Sequence, residues 1–229
     1  MFTVLTGYLL VKYKELLKLK ISSKIVLGLF FLSPSSVTAS ESKKFITIVN
    51  PVRISKYNPD PTASFVAQYS VINRFHLPAT WLFTYDALAD SKLIDAVQKM
   101  DHQQEKGIFL EITPDFATAA GVTYHQSASW HFANSVFLSG YTQPERLKLI
   151  DTIFEKFKSI FGYFPTSIGS WWTDGYSLSY IKDKYGITAN LGVSDQFKTD
   201  GYQIWGQYWS TPYYPSVYHP AVPATSLNN

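Results

Sequence analysis

Two alternating periodicities constrain this chain more than any other feature. From residue 45 onward, short runs rich in β-branched and aromatic residues take turns with stretches whose apolar residues recur every three or four positions. F-I-T-I-V-N (45–50), A-T-W-L-F-T (79–84), G-I-F-L-E-I-T (107–113), S-I-G-S-W-W (167–172) and T-A-N-L-G-V (188–193) read as strands. Helical spacing covers 62–75 (Phe65, Val66, Tyr69, Ile72, Phe75), 87–100 (Leu93, Val97, Met100), 143–161 (Leu147, Ile150, Phe154, Phe157, Phe161) and the short stretch 177–184, ended by Gly186. Thr142 and Glu145 have the spacing of a capping box ahead of the longest helix, and Gly162 with Pro165 stops it. Strand, helix, strand in repetition predicts an α/β fold with a parallel sheet and right-handed crossovers. A closed barrel of this kind takes about eight strands, so five predict an irregular (β/α) barrel left incomplete at the C-terminus.

In a chain of 229 residues, an apolar fraction of 46% supplies a real core and excludes disorder for most of the length. Charged residues are only 16%, while aromatics reach 17%, an excess of amphipathic rings that suits a wet, concave ligand surface. The absence of cysteine removes disulfides, cysteine nucleophiles and thiolate metal sites. The net charge of +3 comes from the first 39 residues, where Lys12, Lys14, Lys18, Lys20 and Lys24 face only Glu15. The rest carries 15 basic against 16 acidic residues, which argues against a nucleic-acid groove.

Within 1–39 a basic stretch (18–24), an apolar run from Ile25 to Leu32, Pro34 and V-T-A (37–39) follow the order of a secretory signal peptide. The run is too short for the roughly 20 residues that span a bilayer. The expectation is cleavage after Ala39, export, and a single domain over 40–229. The competing reading is an uncleaved membrane anchor.

Ligands of parallel α/β folds bind beyond the carboxyl ends of the strands. Those ends predict Asn50, Asp86, Glu111, Asp174 and Asp195 as the polar residues to weigh. Glu111 interrupts an apolar run and is the strongest functional candidate, with Arg53 as its nearest partner if its role is structural. Asp174 follows Trp171 and Trp172, and reads equally as a functional carboxylate or a helix cap. Asp86 reads as a cap of the next helix and Asp195 as a turn former. Two carboxylates across a cleft suffice for glycosidic hydrolysis, one donating a proton to the leaving oxygen while the other attacks carbon or activates water. After residue 194, Trp205, Trp209, Tyr213 and Tyr214 crowd into a stretch punctuated by Gly and Pro, which reads as a structured wall. His125 and His131 do not have a standard ligand spacing, so no metal site and no cofactor are expected. Phosphate-loop, dinucleotide and G-x-S-x-G signatures are absent from the sequence.

F-I-T-I-V-N (45–50), L-P-A-T-W-L-F (77–83), G-I-F-L-E-I-T-P (107–114) and F-G-Y-F-P-T-S-I-G-S-W-W-T-D (161–174) resemble the glycoside hydrolase/deacetylase superfamily over about 45–215. That superfamily includes polysaccharide deacetylases of the NodB type and family 57 glycosidases. The resemblance implies an irregular (β/α) barrel acting on polysaccharide. Where those deacetylases carry Asp-Asp after the first strand, this chain has Asn50-Pro51. Where they carry H-x-x-x-H, it has Glu111-Ile112-Thr113-Pro114. The family 57-like pattern of a Glu nucleophile and an Asp acid fits Glu111 and Asp174 better.

The leading expectation is therefore an exported carbohydrate-active hydrolase working without metal. Glu111 is nucleophile or base and Asp174 the acid. Asn50, Trp171, Trp172, Asp195, Trp205, Trp209, Tyr213 and Tyr214 contact the poly- or oligosaccharide. The alternatives are a glycan-binding domain that kept the fold without the chemistry, and a metal-dependent deacetylase with unusual ligands. Neither nucleic acid nor, apart from an uncleaved N-terminus, membrane is expected as a partner.

Overall fold

The computed structural model describes residues 46–129, 132–192 and 212–225. The expectations for 1–39, His131, Asp195, Trp205 and Trp209 lie outside those residues. The described elements belong to the unit Thr47–Asn229. They are β1 (Val49–Val52), α1 (Pro61–Arg74), β2 (Thr80–Phe83), α2 (Tyr85–Ala89), α3 (Ser91–Val97), β3 (Glu105–Leu110), α4 (Pro114–Ala119), α5 (Ala133–Val136), a 3-10 turn (Leu138–Gly140), α6 (Gln143–Phe161), β4 (Ser167–Ser170), α7 (Gly175–Tyr185) and β5 (Ala189–Leu191).

The five strands form one sheet in the order β1-β2-β3-β4-β5, every pair parallel. Sequential order with crossovers of one hand puts the helices on one face, and the sheet curls into half a barrel. Register and alternation then assign every strand residue to a face. Trp81, Val52, Phe83, Ile108, Leu110 and Ile168 point to the helices and share one core with Phe65, Leu93, Ile150, Phe154 and Phe157. Leu82, Gly107, Phe109 and Gly169 point to the concave face. A β-carbon on Gly107 would lie 2.5 Å from Ser167 Oγ, and one on Gly169 would lie 2.6 Å from Leu82 Cδ1. The two glycines thus make the room in which Leu82 packs flat across the sheet.

The longest helix forms as its sequence predicts. Glu145 reaches back to the Thr142 amide at 2.9 Å and its hydroxyl at 2.6 Å, and Gly162 ends the helix at φ 81°. On its outer side Asp151 accepts from Tyr180 (2.8 Å), Tyr185 (2.6 Å) and Lys184 (2.8 Å), tying α6 to α7. Burial alone would raise the Asp151 carboxyl, but these three donors outweigh it and hold it below the ordinary value.

Three expectations change. The stretch 87–100 is not one helix, because the Asp90 side chain takes the Leu93 amide at 2.9 Å and starts α3 afresh. The first strand runs two residues further than 45–50, so the residue beyond its end is Arg53 and not Asn50. The third strand ends at Leu110, and Thr113 caps α4, a helix that the apolar run 107–113 conceals. Among the described residues no helix is long and apolar enough to cross a membrane.

Candidate functional site

Because Leu110 and Ser170 are register partners, the next residues, Glu111 and Trp171, stand side by side at the carboxyl edge and on the concave face. Trp171 donates its indole N–H to Glu111 Oε2 at 2.6 Å. Arg53 donates from Nη2 to Oε1 at 2.8 Å, and its Nε lies 2.7 Å from Oε2. The same guanidinium lies over the Trp171 ring, 5.0 Å from its centroid, while Phe109 meets that ring edge-on at 5.2 Å. Glu111 is 7% exposed. A buried carboxylate is costly without compensation, and charge-assisted donors on both oxygens supply it.

Asp174 has a different setting. It is the N-cap of α7, accepting from the Ser177 amide at 3.0 Å and the Ser177 hydroxyl at 2.8 Å, and it pairs with Arg146 Nη1 at 3.1 Å. Arg146 in turn donates to the carbonyls of Tyr141 and Ser139. The carboxylate thereby fastens α7 to the loop before α6.

Asn50 faces the helices and is buried. Its Oδ1 accepts from Gln68 on α1, and its Nδ2 has no hydrogen-bond partner among the described residues. This position separates it from Glu111 on the opposite face, correcting its expected place at a strand end. Trp172 packs with Val136 and Phe137 and meets His219 edge-on at 5.6 Å. Tyr213 donates to the Pro220 carbonyl at 2.9 Å, and Tyr214 is exposed. The segment 212–225 is therefore brought to the end of β4 beside Trp172, through His219 and through a tight approach of Val217 to Gly175.

Asp86 is not the cap of its helix. Thr84 takes that place, accepting from the Ala87 amide at 3.3 Å, and Asp86 falls in the first turn. It accepts at Oδ1 from Thr113 Oγ1 at 2.8 Å. Together with Ile54, Tyr85, Ala89, Asp90 and Asp115 it lines a cleft of about 250 Å³ at the carboxyl edge. Burial raises its carboxyl above the ordinary value, the charges of Asp115 and Glu111 add to this, and the Thr113 hydrogen bond opposes it. Tyr85 stacks on Phe116 at 4.9 Å and forms the cleft's rigid wall. The T-Y-D sequence at 84–86 offers two good caps, Thr84 and Asp86, and does not by itself say which one accepts.

Beyond β3, His125 stacks on Tyr141 at 4.4 Å, and Tyr141 donates to the Ser135 carbonyl at 2.7 Å. Burial pushes the Tyr141 hydroxyl up to about 12. Tyr124 is also raised, chiefly by burial, with the Glu111 charge contributing. Among the described residues no three His or carboxylate side chains are grouped to hold a metal ion. Comparison with family models, curated proteins and solved structures finds no match to this chain.

Proposed function

We propose that this chain is an exported carbohydrate-active barrel protein of the glycoside hydrolase/deacetylase kind, hydrolysing a poly- or oligosaccharide through carboxylate chemistry centred on Glu111. The observation that carries the reading is the Arg53–Glu111–Trp171 group at the carboxyl edge of the central strand. A buried glutamate held by a tryptophan and a partly exposed arginine, at the end of the sheet where parallel α/β folds bind ligands, supports this reading, while the Arg53 pair by itself is also what a structural Glu111 would make. Trp171 and Trp172 provide aromatic surface of the kind that packs against sugar CH faces. Glu111 acts as nucleophile or base.

A second reading, a glycan-binding domain without turnover, has its own support. Both oxygens of Glu111 and both oxygens of Asp174 already have protein donors. Mass spectrometry of acetylated and unacetylated polysaccharides incubated with the full chain, with and without a chelator, separates the readings. Shortened chains insensitive to chelator and lost in Glu111→Gln support the hydrolase. Saturable binding without product supports the binding domain, and chelator-sensitive acetate release supports a metal-dependent deacetylase.

A further inference from the structure

Resting on the reading of Glu111 as the attacking or activating carboxylate, we infer that Asp86, and not Asp174, is the proton donor of the site, delivering its proton to a glycosidic oxygen seated in the cleft of Ile54, Tyr85 and Asp115. Asp86 belongs to the turn just after β2, the strand next to β3. Thr113, which hydrogen-bonds it, is two residues beyond Glu111. One oxygen of Asp86 is fixed by Thr113, and Oδ2 has no protein hydrogen-bond partner among the described residues, so the donor oxygen is free for a ligand. Asp174 has no oxygen in that condition, since Ser177 and Arg146 occupy both.

The charged and titratable groups facing Asp86 agree with this role. Asp115 approaches from α4, Glu111 acts from beyond β3, and Tyr85 and Asp90 share the cleft from its own side. Among the described residues no cation pairs with Asp86, whose carboxyl is raised chiefly by burial, whereas Glu111 is paired with Arg53. One carboxyl with an oxygen open to a ligand and one held by a cation is the kind of unlike pair that acid and nucleophile, or acid and base, require.

In the step, the Asp86 O–H breaks and its proton joins the glycosidic oxygen, which leaves with the electron pair of the C–O bond. The anomeric carbon is taken by a Glu111 oxygen, or by a water whose proton Glu111 accepts. In the first case a single water later displaces Glu111 from the sugar and gives its proton to Asp86; in the second, Glu111 releases the proton that it took to solvent and Asp86 regains one from solvent.

The test compares wild type, Asp86→Asn and Asp174→Asn on unactivated oligosaccharides and on 2,4-dinitrophenyl glycosides of the same sugars. Asn keeps the acceptor for Thr113, so the variant isolates the proton. A leaving group as acidic as dinitrophenol departs without a proton, so Asp86→Asn is expected to lose at least about a hundredfold on oligosaccharides and much less on the dinitrophenyl substrates. The alkaline limb of its pH profile disappears as well. Equal losses on both substrates, or near wild-type turnover of oligosaccharides, overturns the assignment while leaving the hydrolase reading in place. A wild type that cleaves neither substrate class overturns both.

Discussion

Arg53 reaches over the end of β2 to pair with Glu111, joining β1 to β3 although these strands are not neighbours. Neighbouring strands lie about 4.8 Å apart, so the pair spans two such spacings, a distance that suits arginine's long side chain and planar fork. Glu105 does the corresponding work at the other end of β3, accepting from Thr80 and Thr166 at 2.8 Å and 2.9 Å. The central strand thus carries a tying glutamate at each end, Glu105 bonded to threonines of the flanking chain and Glu111 reaching Arg53 beyond β1, and of the two only Glu111 is buried and paired with a cation.

This difference yields a stability prediction. Arg53→Met leaves Glu111 without its cation and should destabilise by about 3 kcal/mol, the low end expected for breaking a buried pair because Arg53 is partly exposed. Glu111→Gln retains an acceptor for Trp171 and should cost less. Urea unfolding of both variants checks the order, and equal losses would contradict the pairing described.

Asp174 gives a prediction of the opposite kind. As the cap of α7, Asp174→Ala should cost about 1–2 kcal/mol, while Asp174→Asn, itself a good cap, should cost only what the Arg146 pair contributes. Turnover per folded molecule should remain within a few-fold of wild type in Asp174→Asn. A collapse of turnover with unchanged thermal stability would return Asp174 to the chemistry.

Much of this arrangement was legible beforehand. The alternation of periods specified a parallel α/β sheet, and the position of Glu111 near the carboxyl end of the third strand followed from it; Arg53 is the partner expected if the role of Glu111 is structural. The distinction between Asn50 and Arg53 was not legible. A shift of strand boundaries changes which residue sits at the edge, and the pleat sends odd and even positions to opposite faces. The apolar run at 45–50 contains no marker of where hydrogen bonding stops. Asp86 was misread for a similar reason, since Thr84 and Asp86 are both good caps and only the backbone decides which one accepts. Sequence spacing also gives no account of the Thr113–Asp86 bond, which joins two turns 27 residues apart.

Asp86 should reveal itself in stability as well as in rate. Its folded-state carboxyl is raised above the ordinary 3.8. The stabilisation that it gives is therefore complete below that value and is lost as pH rises through the folded value. Asp86→Asn carries no such titration. It should equal or exceed the wild type in melting temperature at pH 7, with the advantage shrinking as pH falls toward 3.8. A variant less stable than wild type at neutral pH and equal to it in acid would show that the carboxylate form is the one that the fold favours.

Gly175 tests whether the segment 212–225 belongs to the site's wall. By helix propensity alone, Gly175→Ala at the first position of α7 should stabilise by a few tenths of a kcal/mol, up to about 1 kcal/mol. A β-carbon there collides with the Val217 carbonyl oxygen, and backbone cannot swing aside as a flexible side chain does. The strain should therefore appear not in α7 but in its neighbour. Ser216, Val222 and Ala224 donate backbone hydrogen bonds within that segment, to Val222, His219 and Tyr214 respectively. Their amides should exchange at least about tenfold faster in Gly175→Ala, while amides in the body of α7 keep their protection. Trp172 should lose its edge-on contact with His219 at the same time, which tryptophan fluorescence would register. If sugar binding depends on the wall around Trp172, affinity falls with the loss of protection. Unchanged exchange at all three amides would mean that the approach of Val217 to Gly175 relaxes freely and fixes nothing.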